Sequence, residues 1–439
     1  MSAADACLAL VRKRQSERRL PSVSAAVFKG GERVWYGAAG HARLDPPEEP
    51  TADTQYRIGS ITKTFTAVLV MQLRDAGLLD LDDRITAHLP EARHDATIRR
   101  MLAHLSGWQR EPHGDVWESL APPARAELFD NLAATEPASA PNRRWHYSNL
   151  TYGVLGELVA RLAGGTWEEV LAERLLGPLG MTRTTQQPQA PYAQGYLVDP
   201  YADRAAEEPV LDLRGVASAA QVWSTPDDLA RWGAFLLEPD PAVLAPATLE
   251  EMTTPHGIAD ETSWALGWGL GLMLFRRHDR ICVGHTGGMP GHIAVLAVSR
   301  KDGVGAVAFA NNSSGFDASL VGSDLVNEWL ANDPPAPPAW APSAPVPPEV
   351  EPVLGRWWAE GSEWVLAWRG GRLEAAPAGA PPSYVPSVFE ADGDGFRTVS
   401  GHEAGERLRV VRAPDGAVTK LYWATYPLTR HPATFGSTK

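Results

Sequence analysis

The order of the predicted elements constrains the fold of this 439-residue chain more than any single motif does. The pattern near the start predicts two strands, over 23–27 and 33–38, on either side of Lys29-Gly30-Gly31. Helical periodicity then dominates, and a strand–turn–strand pattern returns over 266–309 before a last helix at about 318–330. The strands expected in that pattern are 268–275, 281–285, 292–298 and 304–309, which leaves the glycines after His285 between two strands. Strands from both ends of such a region pair into one antiparallel sheet with helices packed against it. We therefore expect an α+β domain.

A proline-rich segment divides the chain in two. Residues 332–350 hold eight prolines, and segments of this kind are semi-rigid spacers at domain boundaries. Beyond it, short alternating strands are joined by tight glycine turns, which is typical of a small antiparallel barrel or sandwich. We expect a first domain over 1–331, a linker over 332–350 and a second domain over 351–439.

Charge and composition exclude several classes of partner. The net charge is −13 and the pI is about 5.4, which argues against a nucleic-acid or anionic-membrane surface. No apolar run approaches the 18 or so residues of a membrane span. The first residues show helical spacing rather than a secretory signal, and Cys7 and Cys282 are read as buried thiols. We expect a cytoplasmic protein. The twelve histidines form no metal motif, so we expect no metal and no cofactor.

One lysine is the first candidate for chemistry. The chain holds six lysines against 34 arginines, which indicates that arginine serves wherever a fixed positive charge is enough. Lys63 lies three residues after Ser60, a helical spacing that brings the two side chains together. A lysine that loses its proton on burial can act as general base to a serine nucleophile, whereas arginine cannot. This pair alone also fits an N-cap serine followed by a lysine by chance.

Two further segments are ambiguous when taken singly. Tyr147-Ser148-Asn149 offers a proton carrier and an amide, or else a core tyrosine with an N-cap asparagine. His285-Thr286-Gly287-Gly288 offers a strand edge whose glycines admit a substrate backbone, or else a structural histidine at a turn. An N–H of that edge, together with the N–H of Ser60, would form an oxyanion hole worth about 10²- to 10³-fold in rate per donor.

Taken together, these three segments resemble the signature of the serine β-lactamase and penicillin-binding protein superfamily, S-x-x-K, Y-x-N and K/H-T-G. Met101–Gly107 and Ser224–Trp232 also resemble recurring segments of its class C β-lactamase and D-peptidase branch. The resemblance covers about residues 5–331 and implies an antiparallel sheet with flanking helices and an all-helical subdomain. His285 replaces the lysine of class C β-lactamases, which favours a D-peptidase-like member over a β-lactamase.

The resemblance also implies roles for the site residues. Ser60 attacks a carbonyl, Lys63 and Tyr147 carry its proton to the leaving group, and the N–H groups of Ser60 and Gly288 hold the oxyanion. The remaining motif residues, expected to position the substrate, are Asn149, His285, Thr286 and Gly287. An incoming nucleophile then releases the acyl group.

The two-domain order is similar to that of penicillin-binding-protein-type thioesterases, which carry a small lipocalin-like barrel and close nonribosomal peptides into rings. We therefore expect a peptidyl thioester substrate, possible presentation by a carrier protein, and head-to-tail macrocyclisation. In that group a C-terminal arginine is thought to bind the substrate terminus, and Arg430 is the matching candidate here. The alternatives are a cytoplasmic hydrolase, either a D-stereospecific peptidase or an esterase, and a non-catalytic penicillin-binding sensor.

Overall fold

The antiparallel sheet expected from the two ends of the first region is present. The computed structural model describes residues 2–94, 96–334, 340–341, 345–359, 361–381 and 383–434. The chain divides into two units, Met1–Pro335 and Ala336–Lys439, and this division falls inside the predicted linker. Of that linker, residues 335–339 and 342–344 lie outside the described residues.

Eight strands form the sheet of the first unit, in the order β2-β1-β8-β7-β6-β5-β4-β3, with every neighbouring pair antiparallel. In chain order the strands are β1 (Ser22–Lys29), β2 (Glu32–Gly40), β3 (Gly257–Ile258), β4 (Leu266–Trp268), β5 (Met273–Arg277), β6 (Arg280–Met289), β7 (His292–Ser299) and β8 (Val304–Ala310).

The helices of the first unit lie before, between and after these strands. In chain order they are α1 (Ala3–Glu17), α2 (Thr62–Asp75), α3 (Ile85–His88), α4 (Ile98–Leu102), α5 (Val116–Ser119), α6 (Arg125–Asp130), α7 (Asn149–Ala163), α8 (Trp167–Leu171), α9 (Ala217–Ala220), α10 (Pro226–Leu237), α11 (Pro246–Met252) and α12 (Ala318–Asn332).

The two-residue period of the central strands divides the first unit into two cores. In β1, Phe28 packs in the core that contains α2, α7 and α10, whereas Val27 packs in the core that contains α1 and α12. In β8, Phe309 and Ala308 alternate between the same two cores. Because successive side chains point to opposite faces, a strand buried on both faces needs apolar residues throughout. The sheet is therefore a central layer covered by helices on each side.

Two details of the predicted strands were wrong. A single strand was expected over 268–275, but β4 and β5 are separate, because the chain turns at Gly271 with φ +78°. A Cβ at Gly271 would lie 2.1 Å from Cβ of Ala67 in α2, so the turn packs directly on that helix. The glycines after His285 were expected between two strands, but they continue within β6.

The second unit is the expected small barrel. Eight antiparallel strands follow one another in chain order, and a bridge between Trp358 and Thr429 brings the two ends of the sheet together, so the barrel is nearly closed. Side chains including Trp357, Phe389 and Leu408 fill its interior, as in other small barrels. The strands are β9 (Gly355–Ala359), β10 (Ser362–Arg369), β11 (Arg372–Pro377), β12 (Ser387–Asp392), β13 (Gly395–Ser400), β14 (Arg407–Arg412), β15 (Val418–Trp423) and β16 (Tyr426–Leu428).

The sequence also led to expectations about membrane-spanning helices and about the two cysteines. None of the helices described is long and apolar enough to cross a membrane. Cys7 and Cys282 are both free and buried, as expected. Burial raises the pKa of each thiol to about 12, so neither is a reactive thiolate near neutral pH.

Candidate active site

Ser60 lies on a tight turn that leads into a buried helix. A 3₁₀ turn over Gly59–Ile61 runs directly into α2. Gly59 has φ +52°, a left-handed conformation that favours glycine. The turn leaves the Ser60 side chain partly exposed in a cleft, and the N-terminal end of a helix favours the negative charge that develops on attack.

Lys63 is fully buried beside that serine. Its Nζ lies 3.1 Å from Oγ of Ser60, 2.7 Å from Oδ1 of Asn149 and 2.9 Å from the carbonyl oxygen of Ala219. When protonated, Nζ donates to all three; when neutral, its two N–H groups donate to Asn149 and Ala219, and its lone pair accepts from the Ser60 hydroxyl. The side chain has no exposed surface, and all three partners are uncharged. An ammonium ion in such a place has lost its water and gained no counter-ion.

The protonation of Lys63 follows from this burial. Desolvation lowers the pKa of Lys63 well below its ordinary value, although the carboxylate of Glu111 acts in the opposite direction. Desolvation penalises the charged form of an amine, so the folded protein favours the neutral form over a wider pH range than water does. A neutral amine at 3.1 Å from the serine oxygen is placed to accept its proton.

Tyr147 lies next to both Ser60 and Lys63. Its ring lies 4.8 Å from Nζ of Lys63 and 4.3 Å from the ring of His104. Burial raises the pKa of Tyr147, and the neighbouring Ser60 hydroxyl and Arg110 guanidinium act against that rise. The phenol is therefore held protonated between the serine and the amine, where it can pass a proton without being a free phenolate.

Ser148 and Asn149 are held by the start of α7. Ser148 is the N-cap of that helix, and its hydroxyl accepts from the N–H of Thr151 while donating to the carbonyl of Gln109. Asn149 is the first helical residue, so its side chain projects toward Lys63. The N-cap is thus the serine of the motif rather than the asparagine.

His104 supports the backbone of this segment. It is fully buried, and its Nδ1 accepts the backbone N–H of Ser148 at 3.1 Å. An Nδ1 that accepts leaves the proton on Nε2, so the ring is neutral; burial first, and Lys63 second, lower the pKa of His104 well below its ordinary value. The histidine therefore fixes the backbone between Tyr147 and Asn149.

An acidic side chain completes the hydrogen-bond chain. Oε1 of Glu111 accepts from Nδ2 of Asn149 at 2.7 Å, which fixes the orientation of that amide so that Oδ1 faces Lys63. The same Oε1 lies 3.4 Å from Nε of Arg110, whose guanidinium stacks 5.0 Å from the ring of Tyr147. Glu111 thus positions Asn149, and Arg110 packs on the phenol.

Strand β6 lies directly against the serine turn. A Cβ at Gly287 would be 1.8 Å from the carbonyl oxygen of Ile58 and 3.1 Å from the backbone nitrogen of Ser60, so only glycine allows this approach. A Cβ at Gly59 would likewise lie 2.7 Å from the nitrogen of Gly288. Gly288 itself lines the cleft. This close contact supports an oxyanion hole of the Ser60 and Gly288 N–H groups, which stays a prediction.

His285 and Thr286 form the wall beside this edge. His285 is 1% exposed, and its Nδ1–H donates to the carbonyl of Thr286. Burial, aided by Lys63, lowers the pKa of His285 to about 3, so the imidazole is neutral and Nε2 is unprotonated. The backbone N–H of Thr286 donates to Sδ of Met273 at 3.4 Å.

These residues share one cleft of about 480 Å³, which is within the range of small-molecule sites. Polar groups from Ser60, Tyr147 and Asn149 converge at its floor, and much of its wall is apolar, with Trp145 and Trp268 prominent. Of the eight motif positions predicted for the first domain, six line the cleft, and Lys63 lies beneath it in contact with Ser60 and Asn149. Gly287 instead packs behind the serine turn.

Arg430 belongs to the second unit and is engaged there. Its guanidinium donates to the carbonyls of Pro352, Leu354 and Arg356 and lies 3.7 Å from the ring of Trp357. These contacts are those of an arginine that holds together the ends of the barrel. A role in binding the substrate stays a prediction.

Several site residues were not predicted from the sequence. His104 lies in the Met101–Gly107 segment, which resembles a recurring segment of the family but does not indicate a role for the histidine. Arg110 and Glu111 follow that segment without any motif of their own. Ala219 contributes a backbone carbonyl, which any residue type supplies, so nothing in its side chain could have indicated it.

Comparisons with known proteins agree with this geometry. A family model described as Beta-lactamase matches residues 8–325, and one described as Domain of unknown function (DUF7586) matches residues 346–430. Penicillin-binding protein 4 of Amycolatopsis lactamdurans is 30% identical over 370 residues, which cover 79% of this chain and 95% of that protein.

Two solved structures resemble this one. A D-stereospecific amidohydrolase from Streptomyces sp. is 25% identical with a TM-score of 0.63, covering 76% of this chain and 99% of that chain. The structure of SurE with D-Leu is 23% identical with a TM-score of 0.60, covering 98% and 99% of the two chains. At this identity the second likeness shows the fold alone, and it extends over both units.

Proposed function

This chain belongs to the β-lactamase family, and we propose that it is a serine acyltransferase that releases a peptidyl thioester by closing the peptide into a ring. Ser60 takes the acyl group from the thioester, and the amine at the other end of the same peptide takes it from Ser60. The thioester is delivered by a carrier protein in the cytoplasm.

A single observation carries the acyl-enzyme step. Lys63 is wholly buried, its Nζ lies 3.1 Å from Oγ of Ser60, and its three hydrogen-bonding partners are uncharged. Burial favours the neutral amine, which can accept the serine proton and so make Ser60 a nucleophile. A positioned general base of this kind contributes about 10²- to 10⁴-fold to the rate.

Two observations favour a peptide amine as the acceptor. The cleft wall above Ser60 is rich in Trp, Leu, Val and Met side chains, which pack against a folded peptide and reduce the ordered water near the acyl group. The second is the domain order, a β-lactamase-like unit followed by a small barrel, which is similar to that of penicillin-binding-protein-type thioesterases; a substrate with a D-configured residue at a reacting end is part of the same proposal.

Hydrolysis is the second candidate, with water as the acceptor. It is favoured by the likeness to a D-stereospecific amidohydrolase, which covers 99% of that chain. The same Ser60, Lys63 and Tyr147 serve both reactions, because the two differ only in the nucleophile that attacks the acyl-enzyme. The acyl-enzyme is thus common to both candidates.

Product analysis separates the two acceptors. Linear peptidyl thioesters with a D-residue at one end are incubated with the wild type and with Ser60→Ala, and the products are identified by mass spectrometry. Cyclisation gives a product lighter than the linear acid by one water, and Ser60→Ala gives neither product above the uncatalysed rate. Linear acid alone, across several such peptides, contradicts the cyclase and leaves the hydrolase.

A further inference from the structure

The leaving group of an acyl transfer departs beside the group that protonates it. In this cleft that group is Lys63 or Tyr147, so the leaving group lies along the surface around the Tyr147 ring. Trp268, Trp145 and His285 surround that ring, with centroids 5.7, 6.2 and 6.3 Å from it. We call Trp145, Trp268 and His285 the aromatic wall.

The aromatic wall is polar at three points but carries no charge. Nε1 of Trp145, Nε1 of Trp268 and Nε2 of His285 are buried and have no hydrogen-bond partner. The first two are N–H donors, and the third is an acceptor, because the His285 proton is on Nδ1 and donated to a carbonyl. Trp268 meets the imidazole edge-on at 5.3 Å, which holds the ring in that orientation.

Charge elsewhere in the cleft is already compensated. Among the described residues that line it, the charged side chains are Arg110 and Glu111, which lie 3.4 Å apart. Arg110 also stacks on the outer face of Tyr147. Lys63 lies beneath the floor with no exposed surface, and its burial among three uncharged partners favours the neutral amine. The wall therefore has no uncompensated cation to hold a carboxylate.

We infer that the aromatic wall selects an uncharged leaving group and discriminates against one that ends in a carboxylate, an inference that rests on the proposed function. In the thioester reaction Oγ of Ser60 bonds to the acyl carbon, the C–S bond breaks, and the serine proton passes to sulfur through Lys63 or Tyr147. A neutral thiol can pack against the rings of the wall without the loss of hydration that a charged group suffers. A carboxylate in the same place loses its water and gains no counter-ion.

The test uses two thioesters of one peptide that differ in a single charge. The leaving groups are 3-mercaptopropionate and its methyl ester, and each enzymatic rate is divided by the uncatalysed rate of the same thioester. For the wild type we expect kcat/KM for thiol release to favour the methyl ester by on the order of 100-fold. A preference of less than about threefold overturns the inference, since a charge-blind wall predicts no larger difference.

A matched pair of variants locates the preference. His285→Lys places a cation in the aromatic wall, and Trp117→Lys places the same cation elsewhere in the cleft, at a residue that is 45% exposed. We expect the ratio of the two rates to fall about tenfold or more in His285→Lys and to stay near the wild-type ratio in Trp117→Lys. If the ratio falls equally in both variants, a cation anywhere in the cleft attracts the carboxylate, and the preference does not arise at the aromatic wall.

Failure of this inference can be distinguished from failure of the proposed function. If neither thioester acylates Ser60, as followed by intact-protein mass spectrometry, the proposed function is wrong. Two D-configured dipeptides that end in a carboxamide or a free carboxylate then test the same charge preference on an amide bond. The inference is contradicted if the free carboxylate is cleaved as well as the carboxamide, or if no substrate of either pair forms an acyl-enzyme.

Discussion

Replacing Lys63 by arginine keeps the positive charge and removes the proton acceptor. Arginine stays protonated in proteins, so Lys63→Arg leaves Ser60 without a base. The loss expected from a missing general base is about 10²- to 10⁴-fold, or roughly 3–5 kcal/mol in the activation barrier. The larger guanidinium must also fit a site with no exposed surface. We therefore expect a loss near the upper end of that range.

The assay is the rate of acyl-Ser60 formation from a peptidyl thioester, followed as mass gain on the intact protein. Lys301→Arg is the matched control, because Lys301 is exposed, and its activity should equal that of the wild type. The neutral-amine argument is refuted if Lys63→Arg keeps more than about a tenth of the wild-type rate. The loss would then be less than tenfold, which is smaller than the roughly 10²-fold minimum expected for a general base.

The same lysine should make folding stability depend on pH. Its pKa in the folded state lies well below its ordinary value of 10.5, which applies to the unfolded chain. Between those two pKa values the unfolded state binds more protons, so the free energy of unfolding rises with pH across that window. Lys63→Met, which cannot titrate, should flatten this rise in urea unfolding measured at several pH values. If the free energy of unfolding rises equally with pH in Lys63→Met, a titrating group other than Lys63 causes the rise.

Three further predictions follow from the contacts of the site and the barrel. Gly287→Ala should push β6 away from the serine turn, because its Cβ would lie 1.8 Å from the carbonyl oxygen of Ile58, and acylation should fall at least about tenfold. Glu111→Gln should lower the pKa of Lys63 further, because the carboxylate now raises it, so the acid limb of the kcat/KM profile should move to lower pH. Arg430→Ala should lower the stability of the second unit by about 1–3 kcal/mol, because three carbonyls lose their donor.

Each of these has a control and a contrary result. Gly267→Ala meets only ordinary contacts, the nearest at 3.5 Å, and should acylate normally; equal losses in both glycine variants would count against the steric argument. Glu118→Gln, on α5, should leave the pH profile unchanged, and a shift of the Glu111→Gln acid limb to higher pH would refute the electrostatic argument. For Arg430→Ala, a raised KM with unchanged stability would favour the substrate role over the structural one.

Local sequence could predict the catalytic pair because its geometry is local. Ser60 and Lys63 are three residues apart at the start of α2, so helical spacing alone brings them together. The burial of Lys63 could not be derived in that way, since it depends on the carbonyl of Ala219 and on the packing of α7 and α9 over the amine. The rarity of lysine in the chain was the only sequence sign of it.

The rest of the site depends on tertiary contacts. Glu111 meets Asn149 across 38 positions of sequence, and His104 meets the N–H of Ser148 across 44. No short pattern specifies such pairs, because the segment between them has no regular period. The same holds for the turn at Gly271, where contact with Ala67 interrupts what reads as one strand. Strands β1 and β8, by contrast, could be predicted, because a short apolar run bounded by turn residues is a local property of the chain.

The protonation of Lys63 can be observed directly, because the chain contains only six lysines. With ¹³Cε-labelled lysine, the NMR spectrum of the protein in solution has few resonances, and Lys63→Met identifies the one that belongs to residue 63. The account predicts that this resonance titrates well below 10.5, the ordinary pKa of a lysine amine. A Lys63 resonance that stays in its charged form up to about pH 10.5 would contradict the account, since no neutral amine would then be present to activate Ser60.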